Sequence, residues 1–217
     1  MIITIGGIKG GSGKTTVATN LVVMRSLTHD VLLVDADDQE SASDFSLERN
    51  QRMEGKSGYT YIKQSEQGVR SEVLNLKKKF EDIIIDTGGR DTVSQRYALS
   101  VSDILLIPFM PRSLDIWTLR KVRTLVREAQ GINETLRAIC FINRSDPAGN
   151  DNQDATQILQ EEQVLEYIDA PLGSRKAFSK AVTQGMSVVE LKPLDHKAVS
   201  EIKKLYTHIF DSSMHTE

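Results

Sequence analysis

Apolar positions in this chain fall into short unbroken runs separated by longer stretches where they recur every three or four residues. The runs at residues 2–5, 31–34, 83–85, 104–107 and 138–142 are rich in β-branched side chains and have the length of strands. A strand with one wet face alternates apolar and polar positions. An unbroken run belongs to a strand covered on both faces, as in a parallel sheet. The stretches between read as helices. Residues 15–27 follow a glycine-rich segment. Residues 66–80 close on Lys77, Lys78 and Lys79, cations suited to the negative end of a helix. Residues 113–130 stop at Gly131, and residues 195–210 follow Pro193. This alternation predicts an α/β fold: one domain with a mostly parallel, twisted sheet, right-handed crossovers and helices on both faces. Residues 1–211 make up that domain and residues 212–217 a short polar tail. The polar stretch 49–57 reads as a mobile loop.

Composition narrows the picture only a little. The chain has 217 residues, enough for one sizeable core. With 39% hydrophobic and 26% charged residues it has a globular balance. The net charge of -3 excludes a uniformly basic nucleic-acid binder, so any such binding must come from a local patch. Cys140 is the only cysteine, which rules out an internal disulfide and points to a reducing compartment; it lies in an apolar run and reads as core filling. The start, MIITIGGIKGG, lacks the basic segment and cleavage pattern of a secretion signal. The longest apolar run, residues 104–110, is broken by Pro108 and is too short to cross a bilayer. A cytoplasmic protein is expected.

The chemistry concentrates at residues 8–16, IKGGSGKTT. A strand, a glycine-rich loop and Lys-Thr opening a helix form the arrangement that holds nucleotide phosphates. Gly10, Gly11 and Gly13 let backbone N–H groups turn inward, and Ser12 completes the loop. Lys14 neutralises the β- and γ-phosphates, Thr15 offers a hydroxyl to Mg2+, and Thr16 and the helix N-terminus complete the cradle. The bland alternative is a glycine-rich turn with no ligand. The preceding strand, the Lys-Thr-Thr and the following helix weigh against it. Two further acidic positions follow strands, where a parallel sheet opens its ligand crevice. Asp35 and Asp37 come after the second run. Asp86, placed to hold the magnesium shell, comes after the third and is followed by Thr87, Gly88 and Gly89. Gly89 can present its N–H to a γ-phosphate. Asp also caps helices and opens turns, and for Asp35 that reading is as good.

The segments KGGSGKTT, DADDQES, DTGG and SDILLIPFMP, in this order, resemble the ParA/MinD superfamily of deviant Walker A ATPases, and within it the small ParA (ParF-like) partition proteins. The resemblance runs from residue 1 to about residue 210. It implies a P-loop NTPase that uses ATP and Mg2+. It gives a role to Lys9, which stands five residues before Lys14: two subunits close face to face around two ATP molecules, and this lysine reaches the partner's phosphates as an arginine finger does. It makes Asp37 the residue that positions the attacking water and a metal-shell ligand, Asp86 the Walker B aspartate, and Gly89 the switch II glycine. Asp38 departs from the proline common in the family, which leaves the loop less rigid. Asn143 and Arg144 match a pair near the adenine, and Pro171 falls in the loop over the base; Asn143 could equally end a strand.

The resemblance further implies slow hydrolysis stimulated by a centromere-binding adaptor, and an ATP-bound homodimer that associates with the nucleoid by binding DNA without sequence preference. Arg175, Lys176 and Lys180, on a predicted helix, are the candidate DNA contacts, with Lys192, Lys197, Lys203 and Lys204 beyond. An ordinary solvated helix face accounts for them equally well. Three other functions remain. A MinD-like membrane switch needs a basic amphipathic C-terminal helix, and residues 203–217 offer few anchors. A metal-cluster ATPase needs cysteine ligands beyond Cys140. A ParA-like positioner of protein cargo would use the same machinery. With the phosphate loop beginning after Ile5, no helix-turn-helix domain is expected ahead of it, and operator binding would fall to a partner.

Overall fold

The structure, a computed structural model, describes residues 1–114, 116–146 and 150–211. Its framework is an eight-stranded sheet in which every recorded strand pair is parallel. The strands are β1 (Ile2–Ile5), β2 (Val31–Ala36), β3 (Thr60–Lys63), β4 (Asp82–Thr87), β5 (Ile104–Phe109), β6 (Arg137–Ser145), β7 (Glu166–Tyr167) and β8 (Leu172–Gly173). Their order is β3-β2-β4-β1-β5-β6-β7, with β8 paired to β6. The five runs of the sequence are the five inner strands, each extended by up to four residues. Their continuous apolar character follows from cover on both sides: β1, β2, β4 and β5 are buried along their whole length.

Eight α-helices supply that cover among the described residues: α1 (Lys14–Arg25), α2 (Ser41–Arg52), α3 (Gln67–Leu76), α4 (Val93–Leu99), α5 (Ile116–Gln130), α6 (Asp151–Gln160), α7 (Lys176–Thr183) and α8 (His196–Phe210). Successive strand residues serve opposite faces. Ile3, Ile5, Leu33, Leu106 and Phe141 point to one core, which α1, α2, α7 and α8 close. On the other face Ile2, Leu32, Val34 and Ile85 pack with α3 and α4, while Leu105, Ile107, Cys140 and Ile142 pack with α5 and α6. Cys140 is fully buried in β6, and burial pushes its thiol up to about 12, so it is core filling.

Three expectations need correction. The stretch 49–57 is not simply a loop: Arg49 to Arg52 end α2, and Arg49 is only 4% exposed. Its guanidinium pairs at both nitrogens with Glu190 and also donates to the carbonyls of Ser57 and Gly185, and these bonds permit a charge to be buried. The helix expected at residues 113–130 begins at Ile116 and is preceded by a separate 3-10 turn, Pro111–Ser113, whose first position tolerates a proline because no N–H partner is needed there. The helix expected at residues 66–80 ends at Leu76, leaving the three lysines in the turn beyond.

Candidate functional site

In an open parallel sheet the crevice lies beyond the carboxyl ends of the strands, where chain order reverses. Here β1 sits between β4 and β5, and strand pairing sets Ile5 beside Asp86 and Asp86 beside Asp35. Three loops, after β1, β2 and β4, therefore leave the sheet side by side.

The first loop turns into α1 at Gly13, which has φ +88°. A Cβ there would stand 2.4 Å from Asn143 Nδ2, so both the left-handed backbone and the close approach require glycine. No side chain caps α1, and its first-turn N–H groups face the crevice. Lys14 is 6% exposed, and its Nζ donates to the Lys9 carbonyl at 3.0 Å. Burial lowers the pKa of its ammonium, an effect that Asp86 and Asp37 oppose.

The second loop is ordered by Asp35, a residue 1% exposed. Its Oδ1 accepts the Asp37 N–H at 3.1 Å, and its Oδ2 accepts the Ser43 N–H of α2 at 2.7 Å. Asp35 is thus an orienting residue, and the carboxylate it aims is that of Asp37. Asp37 in turn packs against Gly88 of the third loop, where a Cβ would lie 3.0 Å from its Oδ1. Gly89 presses on the first loop: a Cβ there would meet Gly10 Cα at 2.5 Å and Gly10 N at 2.8 Å.

Asp86 is fully buried, and neither carboxylate oxygen completes a hydrogen bond. Burial is the main reason its carboxyl is raised to about 7; Asp35 and Asp37 add to it, while the nearby Thr15 hydroxyl and Lys14 ease it. An orphaned buried carboxylate beside a threonine hydroxyl suits a divalent cation. Among the described residues no three His, Cys, Asp or Glu side chains form a metal site on their own. That fits magnesium, which takes one or two carboxylates and completes its shell with water and phosphate oxygens. Asp86→Asn is expected to stabilise the ligand-free protein. The native carboxyl holds its proton up to about pH 7 when folded, but only to about 4 when unfolded, so the native fold loses stability as pH rises through that window. The gain from asparagine should be absent below about pH 4, grow to about pH 7 and then level at roughly 10 °C in unfolding midpoint. Thermal melts at several pH values without nucleotide check this; a gain independent of pH contradicts it.

The loops enclose a cavity of about 720 Å³ lined by Gly10, Gly11, Gly13, Lys14, Thr15, Thr16, Asp37 and Gly89, among others. A second cavity of about 430 Å³ adjoins it, sharing Gly13, Thr16 and Arg144. Its far wall is Leu172 to Lys176 with Phe178, the residues that follow Pro171 in the chain. Glu201 of α8 fixes this wall by accepting from Gly173 N–H at 3.0 Å and from Arg175 through both Nε and Nη2. Arg175 is thereby tied into the cavity wall, whereas Lys176 and Lys180 stand exposed one turn apart on α7. Asn143 Nδ2 donates to the Ser12 carbonyl at 2.6 Å, and its Oδ1 accepts from Arg144 N–H, so its amide braces the phosphate loop. Ser12 is buried beneath that contact. Lys9 is exposed and lines a separate groove beside the larger cavity.

Sequence reasoning missed Gln95. Its Oε1 accepts from Gly7 N–H and from Thr87 Oγ1, both at 3.0 Å, and so joins the roots of the first and third loops. A signal was present: Thr92-Val-Ser-Gln95 is a helix-start pattern, and Thr92 does accept the Gln95 N–H.

A parallel sheet with a phosphate loop at its switch point, an uncapped helix and an orphaned acid beside Lys14 defines a P-loop nucleotide-binding protein. Residues 3–188 match the model of the CobQ/CobB/MinD/ParA nucleotide binding domain, and the chain belongs to that family. It is 24% identical over 97% of its length to a maintenance of carboxysome distribution protein A of Halothiobacillus neapolitanus, covering 96% of that protein. Its fold matches a plasmid partition protein of Borrelia burgdorferi bound to AMPPNP, with TM-score 0.77 and 21% identity over 98% of both chains. It also matches a variant of Cyanothece McdA in complex with ATP, with TM-score 0.75 and 18% identity, covering 100% of this chain and 97% of that one.

Proposed function

We propose that this chain is a magnesium-dependent ATPase that closes into a homodimer around two ATP molecules, binds DNA without sequence preference in that state, and positions a cargo whose adaptor triggers hydrolysis. The observation that carries this is the convergence of Lys14, Thr15, Asp37 and Gly89 on one cavity, with Asp86 fully buried near Thr15 and Lys14, and Lys9 beside the cavity but outside it. In this reading Lys14 and the α1 N-terminus hold the phosphates. Thr15, Asp86 and Asp37 are the residues that would hold magnesium, which would supply charge compensation for the phosphates. Asp37, aimed by Asp35, orients water toward the γ-phosphate, and the Gly89 N–H senses it. The smaller cavity takes the base between Arg144 and the Glu201-braced wall. Lys9 serves the partner's phosphates.

The cargo has two readings. The resemblance to small ParA proteins favours a plasmid or chromosome carried through a centromere-binding adaptor. The carboxysome-distribution relative favours a protein assembly. A membrane-surface role has less support: among the described residues no helix is long and apolar enough to cross a membrane, and Ile202, Leu205, Ile209 and Phe210 of α8 are committed to the core. Metal-cluster chemistry lacks a ligand set, since Cys140 is enclosed.

Co-sedimentation with duplex DNA and, in parallel, anionic liposomes tests this, using ATP, ADP and no nucleotide. Retention on DNA with ATP alone is expected. Lys176→Glu with Lys180→Glu should lower it roughly tenfold at low salt, as loss of phosphate contacts does. Retention on liposomes but not on DNA would overturn the reading.

A further inference from the structure

Two fully buried side chains, Gln95 of α4 and Thr87 at the end of β4, meet where the first and third loops leave the sheet. Gln95 Oε1 lies 3.0 Å from both Gly7 N and Thr87 Oγ1, and Thr87 Oγ1 lies 3.0 Å from the Ile5 carbonyl oxygen. Gly6 leaves room for this junction: a Cβ there would stand 3.0 Å from Gln95 Oε1 and 2.7 Å from Leu105 Cδ1. The far end of the third loop hangs on the same residue, because the Gln95 N–H donates to Thr92 Oγ1 at 3.1 Å. Residues 88–91 are thus held at both ends by Gln95. For stability alone this amide is a poor choice. The Gly7 N–H can only donate, so the amide oxygen must face it and Nε2 must turn away. Among the described residues the buried Nε2 finds no acceptor. A buried donor without a partner destabilises a fold, and chains accept such costs chiefly at functional positions.

We propose that Gln95 is a positioning residue that makes the site distinguish ATP from ADP. This role rests on the nucleotide reading above and adds the group that holds the third loop in register with the first. In that reading ADP is held by the first loop and α1, whereas ATP also needs the Gly89 N–H of the third loop. Gly89 lies against the first loop so closely that a Cβ on it would meet Gly10 Cα at 2.5 Å. Where Gly89 stands relative to the phosphate loop is therefore set by how the two loops are anchored, and the Gln95 oxygen anchors both. Gln95 is not among the residues lining the larger cavity, so it acts through Gly7 and Thr87 and not by touching the nucleotide. Without its oxygen the first loop and α1 keep their own phosphate contacts, and the third loop loses its fixed distance from them. The loss falls on the γ-phosphate.

The test is equilibrium titration of the full chain with ADP and with a non-cleavable ATP analogue, each with magnesium, alongside thermal melts. Gln95→Met keeps the length of the side chain and removes the oxygen. It should leave ADP affinity unchanged and weaken the analogue roughly tenfold, the scale of one hydrogen bond to a charged acceptor. Gln95→Glu keeps an oxygen for Gly7 and Thr87 and should retain the native ratio of the two affinities. Thr87→Val takes the hydroxyl from the same junction and should shift the ratio in the same direction by a smaller factor. If Gln95→Met does not fold, Thr87→Val carries the test, and a native ratio there overturns the role. A native ratio in a folded Gln95→Met overturns it directly. Equal weakening of ADP and analogue would make Gln95 a prop of the first loop and overturn it. Equal loss of the ratio in Gln95→Met and Gln95→Glu would trace the effect to shape and not to the oxygen, with the same result. A native protein that binds neither ligand would instead remove the nucleotide reading itself.

Discussion

Lys14→Ala is expected to weaken ATP binding by roughly two to three orders of magnitude, the loss that follows when one partner of a close, desolvated charge pair is removed. The effect is large because Lys14, unlike the exposed Arg90 and Arg144 of the same cavity, is a buried cation and is held ready. Its Nζ is anchored on the Lys9 carbonyl at 3.0 Å, and it is 6% exposed. Burial has already lowered its affinity for a proton, and only Asp86 and Asp37 offset that cost. A tetra-anionic phosphate chain offers far more compensation than two carboxylates, one of them protonated near neutral pH. The substitution also leaves Asp37 and Asp86 without the cation that faces them, so the vacated site disfavours an anionic ligand. Titration with a fluorescent ATP analogue checks this. Native affinity in the variant would remove Lys14 from the site, and melting the variant without nucleotide separates lost binding from lost fold.

Local rules revealed part of this molecule. The five inner strands were legible because cover on both faces leaves no room for polar alternation. Strand β3 was not: Thr60, Tyr61, Ile62 and Lys63 lie at the sheet edge, exposed or half-exposed, and carry the weak pattern of an edge. Helix α2 was hidden for the opposite reason. It buries Ser43, Ser46 and Arg49 beside Ala42 and Phe45, and Ser46 and Arg49 are met there by distant residues, Tyr59 and Glu190, that no local pattern reveals. Helix α4, seven residues long, is too short to show a period.

The site divides in the same way. The phosphate loop is contiguous in the chain, so its glycines, Lys14 and Thr15 could be read directly. The second cavity is assembled from Gly13, Asn143, the 172–176 wall and Glu201, which meet only after the sheet has formed. Charge alone suggested Arg175 as a surface cation, but its partner Glu201 is 26 residues away and no local rule reveals the pair.

Asp37→Ala is expected to leave ATP binding largely intact and to lower turnover by roughly two to four orders of magnitude, the range for a group that positions or deprotonates a nucleophile. The geometry separates the two effects. In the proposed reading phosphate contacts would come from the first loop and α1, whereas Asp37 comes from the second loop, fixed by its N–H to Asp35 Oδ1 and seated against Gly88. Removing its carboxylate takes away one negative charge facing the phosphates, which favours binding slightly, and takes away the acceptor for the attacking water. The variant should therefore remain in the ATP-loaded form, and with it the ATP-dependent dimer and its DNA retention should persist instead of decaying as ATP is consumed. Single-turnover hydrolysis together with DNA co-sedimentation over time reads both. Native turnover in the variant would take Asp37 out of the reaction, while loss of ATP binding would make it part of the phosphate cradle.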